Sequence, residues 1–323
     1  MADPTSEVSR LDELARQHNW ISSDDSIQSL DKAGEGNMNR VSRAKLASGT
    51  TLILKESLPF VAKFPDIPAP IERIEVEAAF YQAIEGTEVA KLTPRTIGYA
   101  PESSCLCLED LGEGSDLSAL YQDKSCVSND VLSELLAWLG ELHQIPVHEP
   151  NQFANLEMRR LNHTHIFALP FQTDNGLEFS QALLEGWQAL LDNELTEAAQ
   201  ELGELYLDQN TSEGVLLHGD FYPGSWLLTT EGVSIIDPEF GFFGPAEFDI
   251  GVFYAHLLLA GFTEHEAETT LNFYPQSFDI NLAQRFAGIE VLRRLFGVAQ
   301  LPLTLSDSEK LELAATARKL ALA

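Results

Sequence analysis

The chain has 323 residues, with 50 acidic and 20 basic side chains and a formal net charge of −30. Because nucleic acids and anionic membranes are bound through clustered lysine and arginine, this balance argues against both kinds of partner. Hydrophobic residues make up 44% of the sequence, which favours a packed core and, at roughly 150 residues per domain, two domains or lobes. A few local cations can still bind a small anionic ligand, since more distant charges are screened by salt.

The three cysteines are too few for a disulfide framework. Cys105 and Cys107 flank one residue of an apolar run, so on a strand they share a face, and we interpret them as small core residues. The N-terminal sequence has neither a basic start nor an apolar stretch, and the longest apolar run, 250–261, is interrupted by His256. A cytoplasmic protein without a membrane segment is therefore expected.

The first third of the chain is rich in predicted strands. Helical spacing of apolar residues predicts helices over 7–17 and 71–84. Short apolar runs separated by glycine turns predict strands over 26–31, 38–46, 51–56, 96–99 and 105–109. The three prolines at positions 65, 68 and 70 indicate a loop before the second helix.

From residue 115 onward the pattern is mostly helical. The predicted helices cover 130–143, 178–206, 246–260, 282–299 and 308–322. Short β segments interrupt them at 215–237, and the composition changes near 111–114. The predicted fold class is α+β, with a small β-rich N-terminal part and a larger, mostly helical C-terminal part.

A polar loop between two apolar runs contains His218, Gly219 and Asp220. An aspartate on a tight loop with apolar anchors on both sides can be held beside a substrate hydroxyl as a general base. This tripeptide is common, so the interpretation of Asp220 depends on what accompanies it.

A later apolar run ends in Asp237, Pro238 and Glu239. The proline restricts the backbone and therefore the spacing of the two acids. Neighbouring carboxylates repel each other unless a cation lies between them, and Mg²⁺ is commonly bound by one or two carboxylates together with substrate phosphates. Taken alone, the pattern fits a turn with two solvated acids equally well.

The two motifs in this order are typical of a kinase catalytic loop followed by its metal-binding aspartate. A protein kinase has an asparagine shortly after the catalytic aspartate, where this chain has Ser225. A hydroxyl is a poorer metal ligand than a carboxamide, and Glu239 offers a further carboxylate. We therefore predict Asp220 as the catalytic residue and Asp237, Glu239 and Ser225 as metal ligands.

A kinase also requires a glycine-rich turn over the phosphates. The turn between the first two predicted strands contains Gly34, Gly36, Asn37 and Asn39. Most turns of this kind are simple hairpins, so this motif indicates a phosphate site only in combination with the others.

A strand lysine and a helix glutamate complete the expected set. Lys55 ends an apolar run, so its ammonium must reach either solvent or a phosphate site. Glu75 and Glu77 lie on the following predicted helix. Most glutamates on such a helix are solvated, and Glu77 is the predicted partner of Lys55.

In this combination the chain resembles the methylthioribose kinases, within the aminoglycoside phosphotransferase and choline kinase group of protein-kinase-like enzymes. Gly-Ser after the catalytic aspartate, Asp-Pro-Glu and a late pair of arginines are the features that single out this family. The stretches that carry the resemblance are GEGNMN at 34–39, LKESLPFV at 54–61, LEDL at 108–111, HGDFYPGS at 218–225, IDPEF at 236–240, GPAEFDIG at 244–251 and LRRLFG at 292–297.

The resemblance implies a bilobal fold in which residues 1–111 form a nucleotide-binding lobe ending at a hinge. It implies that Lys55 holds the phosphates of ATP and that Glu77 orients Lys55. It also implies that the backbone of Glu109 and Leu111 meets the adenine.

Residues 112–323 would then form the catalytic and substrate lobe. The resemblance implies that Asp220 deprotonates a sugar hydroxyl, that Asp237 and Glu239 carry Mg²⁺, and that Arg293 and Arg294 contact the acceptor or the transferred phosphoryl group. The apolar neighbours of the two arginines independently predict that at least one is partly buried and needs an anion.

Two departures leave the acceptor open. Family members carry histidine where this chain has Tyr222, and their longer, tryptophan-containing loop corresponds here to the shorter segment 62–68. The predicted function is ATP-dependent phosphorylation of a small-molecule hydroxyl, with methylthioribose or a related sugar as the favoured acceptor. The alternatives are an aminoglycoside- or choline-type phosphotransferase, which the net charge permits, and a nucleotide-binding pseudokinase. A homodimer is compatible with the sequence.

Overall fold

The computed structural model describes residues 4–34, 38–147, 149–209 and 214–323. The chain forms two compact units. The first consists of Met1–Ser115 with the later segment Thr229–Glu239, and the second of Asp116–Leu228 with Phe240–Ala323. The Asp-Pro-Glu segment therefore belongs to the same unit as the N-terminal strands.

The first unit is built on an antiparallel sheet. Its elements are α1 (Pro4–Gln17), β1 (Ile27–Lys32), β2 (Arg40–Leu46), β3 (Thr51–Glu56), β4 (Phe60–Val61), β5 (Phe64–Pro68), α2 (Arg73–Ile84), β6 (Thr96–Ala100), β7 (Cys105–Glu109) and the beginning of β8 (Gly114–Asp116). Five of the strands form one sheet in the order β1-β2-β3-β7-β6. The prediction of a β-rich N-terminal part is confirmed.

Side-chain alternation divides this sheet into two faces. Leu54 of β3 pairs with Cys107 of β7, and both are fully buried in a hydrophobic cluster that includes Leu11 of α1. The interpretation of Cys105 and Cys107 as core residues is confirmed, since both belong to this cluster. Because successive residues of a strand point to opposite faces, Lys55 lies on the face away from the cluster.

The second unit is mostly helical. The elements in this part of the chain are α3 (Asn129–Leu142), α4 (Leu156–His163), α5 (Gln181–Leu190), α6 (Asn193–Leu207), β9 (Val215–Leu217), β10 (Trp226–Thr229), β11 (Gly232–Ile235), β12 (Phe242–Gly244), α7 (Glu247–Leu259), α8 (Glu264–Leu271), α9 (Ile280–Phe296) and α10 (Asp307–Ala321). Strand β11 belongs to the first unit. Helix α9 packs against both α7 and α10, and its buried residues run from Ala283 to Phe296.

Two predictions of secondary structure are wrong. The single helix expected over 178–206 is two helices, because Leu191 is extended and the Asp192 side chain accepts a hydrogen bond from the Leu195 N–H, which caps α6. The proline-rich segment expected to be a loop contains the short hairpin of β4 and β5. Proline is compatible with such a hairpin because its strands are short edge strands.

Within the described residues, no helix combines the length and the apolar character needed to cross a bilayer.

Candidate active site

A buried lysine is the centre of a charge cluster in the first unit. Lys55 Nζ lies 2.6 Å from Glu77 Oε2 and 2.6 Å from Asp237 Oδ1. The side chains of Lys55 and Glu77 are 3% and 0% exposed. Burial acts to lower the pKa of Lys55, but the carboxylates of Asp237 and Glu77 outweigh it and keep that pKa above its ordinary value. Lys55 is therefore a fixed cation.

Asp237 is the acid of this cluster that reaches solvent, with 41% of its side chain exposed. Its φ of +64° lies in the left-handed region, which costs about 1–2 kcal/mol for a residue other than glycine. Such strain persists only where the surrounding structure imposes it, and it is common at functional positions. Here Pro238 follows directly and Lys55 holds the carboxylate. The result is an exposed carboxylate fixed beside a buried ammonium.

Glu239, by contrast, is buried among hydrogen-bond donors. Its Oε2 accepts a hydrogen bond from Asn39 Nδ2 at 2.8 Å and lies 3.2 Å from Arg73 Nε. Burial raises the pKa of Glu239, and the positive charges of Lys55 and Arg73 oppose the rise. The side chain of Asn39 is also buried, at 3% exposure, and it contacts the Glu239 carboxylate directly.

Arg73, at the start of α2, connects several segments of the first unit. Its Nε donates to Asn39 Oδ1 at 3.0 Å, and its two terminal nitrogens donate to the carbonyls of Leu58, Pro70 and Met38. The side chain is fully buried. Sequence analysis missed this residue, although an arginine between the apolar residues of a helix was a usable signal.

Replacing Arg73 with methionine is expected to lower the free energy of unfolding by about 3–5 kcal/mol, because the buried Glu239 carboxylate then loses the positive charge beside it. Urea unfolding measures the loss. The matched control is Arg40→Met, since the Arg40–Glu7 pair has side chains 49% and 27% exposed and such pairs contribute about 0–1 kcal/mol. Equal losses in the two variants would contradict this account of Arg73.

The predicted glycine-rich turn is only partly described. Gly34 is exposed and has a φ of +72°, in the region that favours glycine. Gly36 and Asn37 lie outside the described residues. The predicted nucleotide-binding roles of all three stay predictions.

The predicted hinge follows the end of β7. The Glu109 side chain is exposed and Leu111 is half-buried. Between them, the Asp110 carboxylate accepts two hydrogen bonds from Arg43, from Nε at 2.7 Å and from Nη2 at 3.0 Å. This two-point contact fixes the chain where it leaves the sheet, while the adenine-binding role of Glu109 and Leu111 stays a prediction.

In the second unit, the loop that carries Asp220 is held by Asp249 of α7. The backbone N–H groups of His218 and Gly219 donate to the two oxygens of Asp249 at 2.7 Å and 3.0 Å. Asp249 and His218 are fully buried. Asp249 therefore braces this loop, and His218 is a core residue. Asp220, next along the chain, has a side chain 19% exposed.

Gly219 is required by backbone conformation and by space. Its φ is +83°, and an added Cβ would lie 2.2 Å from the carbonyl oxygen of Phe240. We expect Gly219→Ala to reduce the free energy of unfolding by about 1–3 kcal/mol more than Gly261→Ala, the increment typical of overpacking.

Gly261 is the matched control because its φ is +84° and a Cβ there meets nothing within 4 Å. Both variants therefore carry the left-handed strain, and only Gly219→Ala carries the clash. Chemical denaturation of both proteins measures the difference. A smaller loss at position 219 than at position 261 would show that the clash is relieved without cost.

Asp220 faces an arginine that is itself paired. Arg294 Nη2 lies 3.3 Å from Asp220 Oδ1, and Arg294 Nε lies 2.6 Å from Glu290 Oε1. Arg293 Nη1 lies 2.9 Å from Glu290 Oε2. Burial raises the pKa of Asp220, and the Arg294 and Arg293 guanidinium groups oppose the rise. The prediction of a buried arginine with an anionic partner is confirmed for both arginines.

Two further residues belong to the same region. Ser225 is 2% exposed, and its hydroxyl donates to the backbone carbonyl of Asp220 at 3.0 Å. The Arg294 guanidinium carbon lies 4.7 Å from the centre of the Tyr222 ring, a cation–π contact. Ser225 thus supports the Asp220 loop, and its metal-binding role stays a prediction.

The predicted site residues therefore fall into two groups. The first unit brings together Asn39, Lys55, Glu77, Asp237 and Glu239. The second brings together Asp220, Ser225, Arg293 and Arg294, with Glu290 added. Gly34, Glu109 and Leu111 lie at other positions of the first unit.

The oxygen donors of the first group suit a hard divalent cation. Asp237 offers an exposed carboxylate, and carboxylate oxygen is the ligand type that Mg²⁺ prefers. No group of three or more candidate ligands from His, Cys, Asp and Glu converges among the residues that the structure describes. A cation there would take further ligands from phosphates and water, which is the usual coordination of Mg²⁺.

Comparison with known proteins shows the family and the fold. Residues 34–281 match the model of the phosphotransferase enzyme family, and the chain belongs to that family. The choline kinase LicA from Streptococcus pneumoniae has a similar fold, with a TM-score of 0.57, 14% identity, and coverage of 98% of this chain and 99% of that one. The predicted α+β fold of the protein-kinase-like type is confirmed.

Curated relatives are more similar in sequence. The methylthioribose kinase of Pectobacterium carotovorum is 29% identical over 260 residues, which cover 76% of this chain and 64% of that enzyme. The methylthioribose kinase of Bacillus pumilus is 27% identical over 316 residues, covering 82% and 78%. The resemblance to methylthioribose kinases is confirmed, and the match spans slightly less than two thirds of the Pectobacterium enzyme.

Proposed function

We propose that this protein is an ATP-dependent small-molecule kinase that transfers the terminal phosphoryl group to a hydroxyl. The observation that carries the proposal is the buried Lys55 ammonium, 2.6 Å from both the buried Glu77 and the exposed Asp237. A lysine held in this way serves phosphate binding in kinases. The family match supports the same activity.

In this proposal the first unit binds the nucleotide. Lys55 contacts the phosphates, Glu77 keeps the ammonium in place, and the turn with Gly34, Gly36 and Asn37 covers the phosphates. The backbone of Glu109 and Leu111 receives the adenine.

Asp237 holds the magnesium ion that neutralises phosphate charge when bound. Glu239, with Asn39 and Arg73 on its Oε2, is the second candidate ligand.

The second unit binds and activates the acceptor. Asp220 accepts the proton of the attacking hydroxyl as that oxygen forms its bond to phosphorus and the bond between phosphorus and the leaving ADP oxygen breaks. Its raised pKa makes it a stronger base than an exposed aspartate, as the transfer of a hydroxyl proton requires. Arg293 and Arg294 contact the acceptor or the transferred group, where guanidinium groups stabilise developing negative charge.

The methylthioribose kinases among its relatives support methylthioribose as the acceptor, with the anomeric hydroxyl as the attacking group. The competing possibility is a cationic acceptor such as choline or an aminoglycoside, which a protein with a net charge of −30 could attract. Among the described residues of the second unit, however, the carboxylates of Asp220 and Glu290 face the guanidinium groups of Arg293 and Arg294, so two negative charges meet two positive charges. This charge balance favours an uncharged polyhydroxyl acceptor.

An acceptor panel tests the proposal. ADP release is measured with Mg-ATP and methylthioribose, choline, homoserine or an aminoglycoside, and the proposal predicts the highest kcat/KM with methylthioribose. A higher kcat/KM with choline or the aminoglycoside would show that the acceptor is a cation.

The second candidate is a nucleotide-binding pseudokinase, favoured by Ser225 standing where protein kinases have asparagine and by its hydroxyl being engaged with Asp220. Stabilisation by Mg-ATP in a thermal shift, with no turnover on any acceptor, would establish that candidate in place of the kinase.

A further inference from the structure

Glu290 is a buried acid that the proposed mechanism does not use. It lies in the middle of α9 and is 2% exposed. Arg293 and Arg294 follow at the positions three and four residues further along, which place side chains on the same face of a helix. Arg293 Nη1 donates to both carboxylate oxygens, at 3.1 Å and 2.9 Å. Arg294 Nε donates to Oε1 at 2.6 Å.

A third residue, His256 of α7, also contacts Glu290. His256 Nε2 lies 3.3 Å from Glu290 Oε1, and His256 Nδ1 lies 2.6 Å from the Tyr121 hydroxyl. Burial lowers the pKa of His256 to about 4, so the ring is neutral. A neutral imidazole has one donor and one acceptor nitrogen. Nε2–H therefore donates to Glu290, and Nδ1 accepts from the Tyr121 hydroxyl.

These contacts leave Arg294 little freedom. Its Nε is committed to Glu290, and its guanidinium group stacks on the Tyr222 ring at 4.7 Å. Because the guanidinium group is planar, fixing one edge fixes the direction of the other donors. Of the two terminal nitrogens, Nη1 donates to the Ala299 carbonyl at 3.4 Å, and Nη2 lies 3.3 Å from Asp220 Oδ1. The position of Arg294 toward Asp220 thus depends on Glu290.

We propose that Glu290 is a positioning residue for phosphoryl transfer, which acts through Arg294 to orient the Asp220 carboxylate toward the acceptor hydroxyl. This inference rests on the proposed function, because it assigns Asp220 a catalytic role. It extends the site beyond the paired arginines to Glu290, His256 and Tyr121, which are connected to Arg294 through Glu290.

A purely structural role for Glu290 makes a different prediction. Loss of a buried ion pair that only stabilises α9 lowers the melting temperature and leaves the kinetics of the folded enzyme unchanged. A positioning role changes kcat, because small displacements of a reacting group cost up to about 100-fold in rate. A positioning role also predicts that substitution of Glu290 lowers kcat only when Arg294 is present.

The test compares E290Q, R294M and the double variant E290Q/R294M. E290Q is expected to lower kcat by about 10- to 100-fold, with the KM for ATP within about twofold of wild type. In the R294M background the same change is expected to cost no more than about twofold, because the connection to Asp220 is already broken. Equal losses in both backgrounds, or an unchanged kcat for folded E290Q, would overturn the inference.

The controls separate positioning from packing. Ile289→Val loosens the same helix at a fully buried neighbour and is expected to lower the melting temperature with kcat unchanged. Where E290Q is unfolded, E290D keeps the charge but withdraws the carboxylate by one methylene. Folded E290D is expected to lose at least about fivefold in kcat, and wild-type kcat in E290D would contradict the positioning role.

A crystal structure of E290Q, or of E290D where E290Q is unfolded, provides a readout that does not depend on activity. The inference predicts that Arg294 Nη2 moves beyond hydrogen-bond distance from Asp220 Oδ1, whereas an unchanged separation of 3.3 Å would overturn it. If wild type transfers no phosphate to any acceptor, the proposed function fails. This structural comparison still decides whether Glu290 orients Asp220.

Discussion

Asp220→Asn is expected to reduce kcat by about 10³-fold, within the range that general bases contribute. The amide cannot accept the proton that the attacking hydroxyl loses, yet it keeps the size of the carboxylate. The backbone contacts of the loop with Asp249 do not involve the Asp220 side chain, so the loop should remain in place. The KM for ATP should stay within about twofold of wild type, because the proposed nucleotide groups belong to the first unit.

Steady-state kinetics with Mg-ATP and methylthioribose measure this loss. Asp123→Asn is the matched control in the same unit, since the exposed Asp123 accepts hydrogen bonds from Ser125 and asparagine can keep an acceptor there. The control should retain wild-type kcat. Full ATP-dependent turnover by D220N would show that Asp220 is not the general base.

Lys55→Met is expected to lower kcat/KM for ATP by about 10²–10³-fold, the cost of removing one fixed charge from a site of charge development. It should also reduce the free energy of unfolding by about 3–5 kcal/mol, because the fully buried Glu77 loses its cation. Activity and stability therefore fall together in this single variant, and a second substitution is needed to separate them.

The double variant K55M/E77L provides that separation. Replacing both members of a buried pair by apolar groups removes the uncompensated charge, so urea unfolding should recover most of the lost stability while turnover stays low. Lys45→Met, on the exposed side of β2, is the control and should leave both quantities near wild type. Recovery of turnover in K55M/E77L would mean that Lys55 acts only as a structural cation.

The positions that sequence analysis located best are those set by short-range pattern. Alternation on a strand placed Cys105 and Cys107 on one face as core residues, and both belong to the buried cluster. The ion pair of Lys55 with Glu77 was expected because strand lysine and helix glutamate follow each other in a kinase. The roles assigned to these residues stay predictions for experiment.

Residues that sequence analysis missed act through contacts between distant segments. Arg73 joins Met38, Leu58 and Glu239, and no local pattern reveals which carbonyls a buried guanidinium group will meet. Glu290 was detectable from its spacing to Arg293 and Arg294, but its contact with His256 depends on the packing of α7 against α9. The break between α5 and α6 was missed because the capping role of Asp192 competes with an otherwise continuous apolar pattern.

The central claim is that a phosphoryl group passes from ATP to an acceptor hydroxyl, and ³¹P nuclear magnetic resonance follows that transfer directly. With wild-type protein, Mg-ATP and methylthioribose, we predict a new phosphomonoester resonance, coupled to the anomeric proton, that grows in step with ADP. Formation of ADP with inorganic phosphate alone, or no change in the ATP resonances at any protein concentration tested, would contradict the claim.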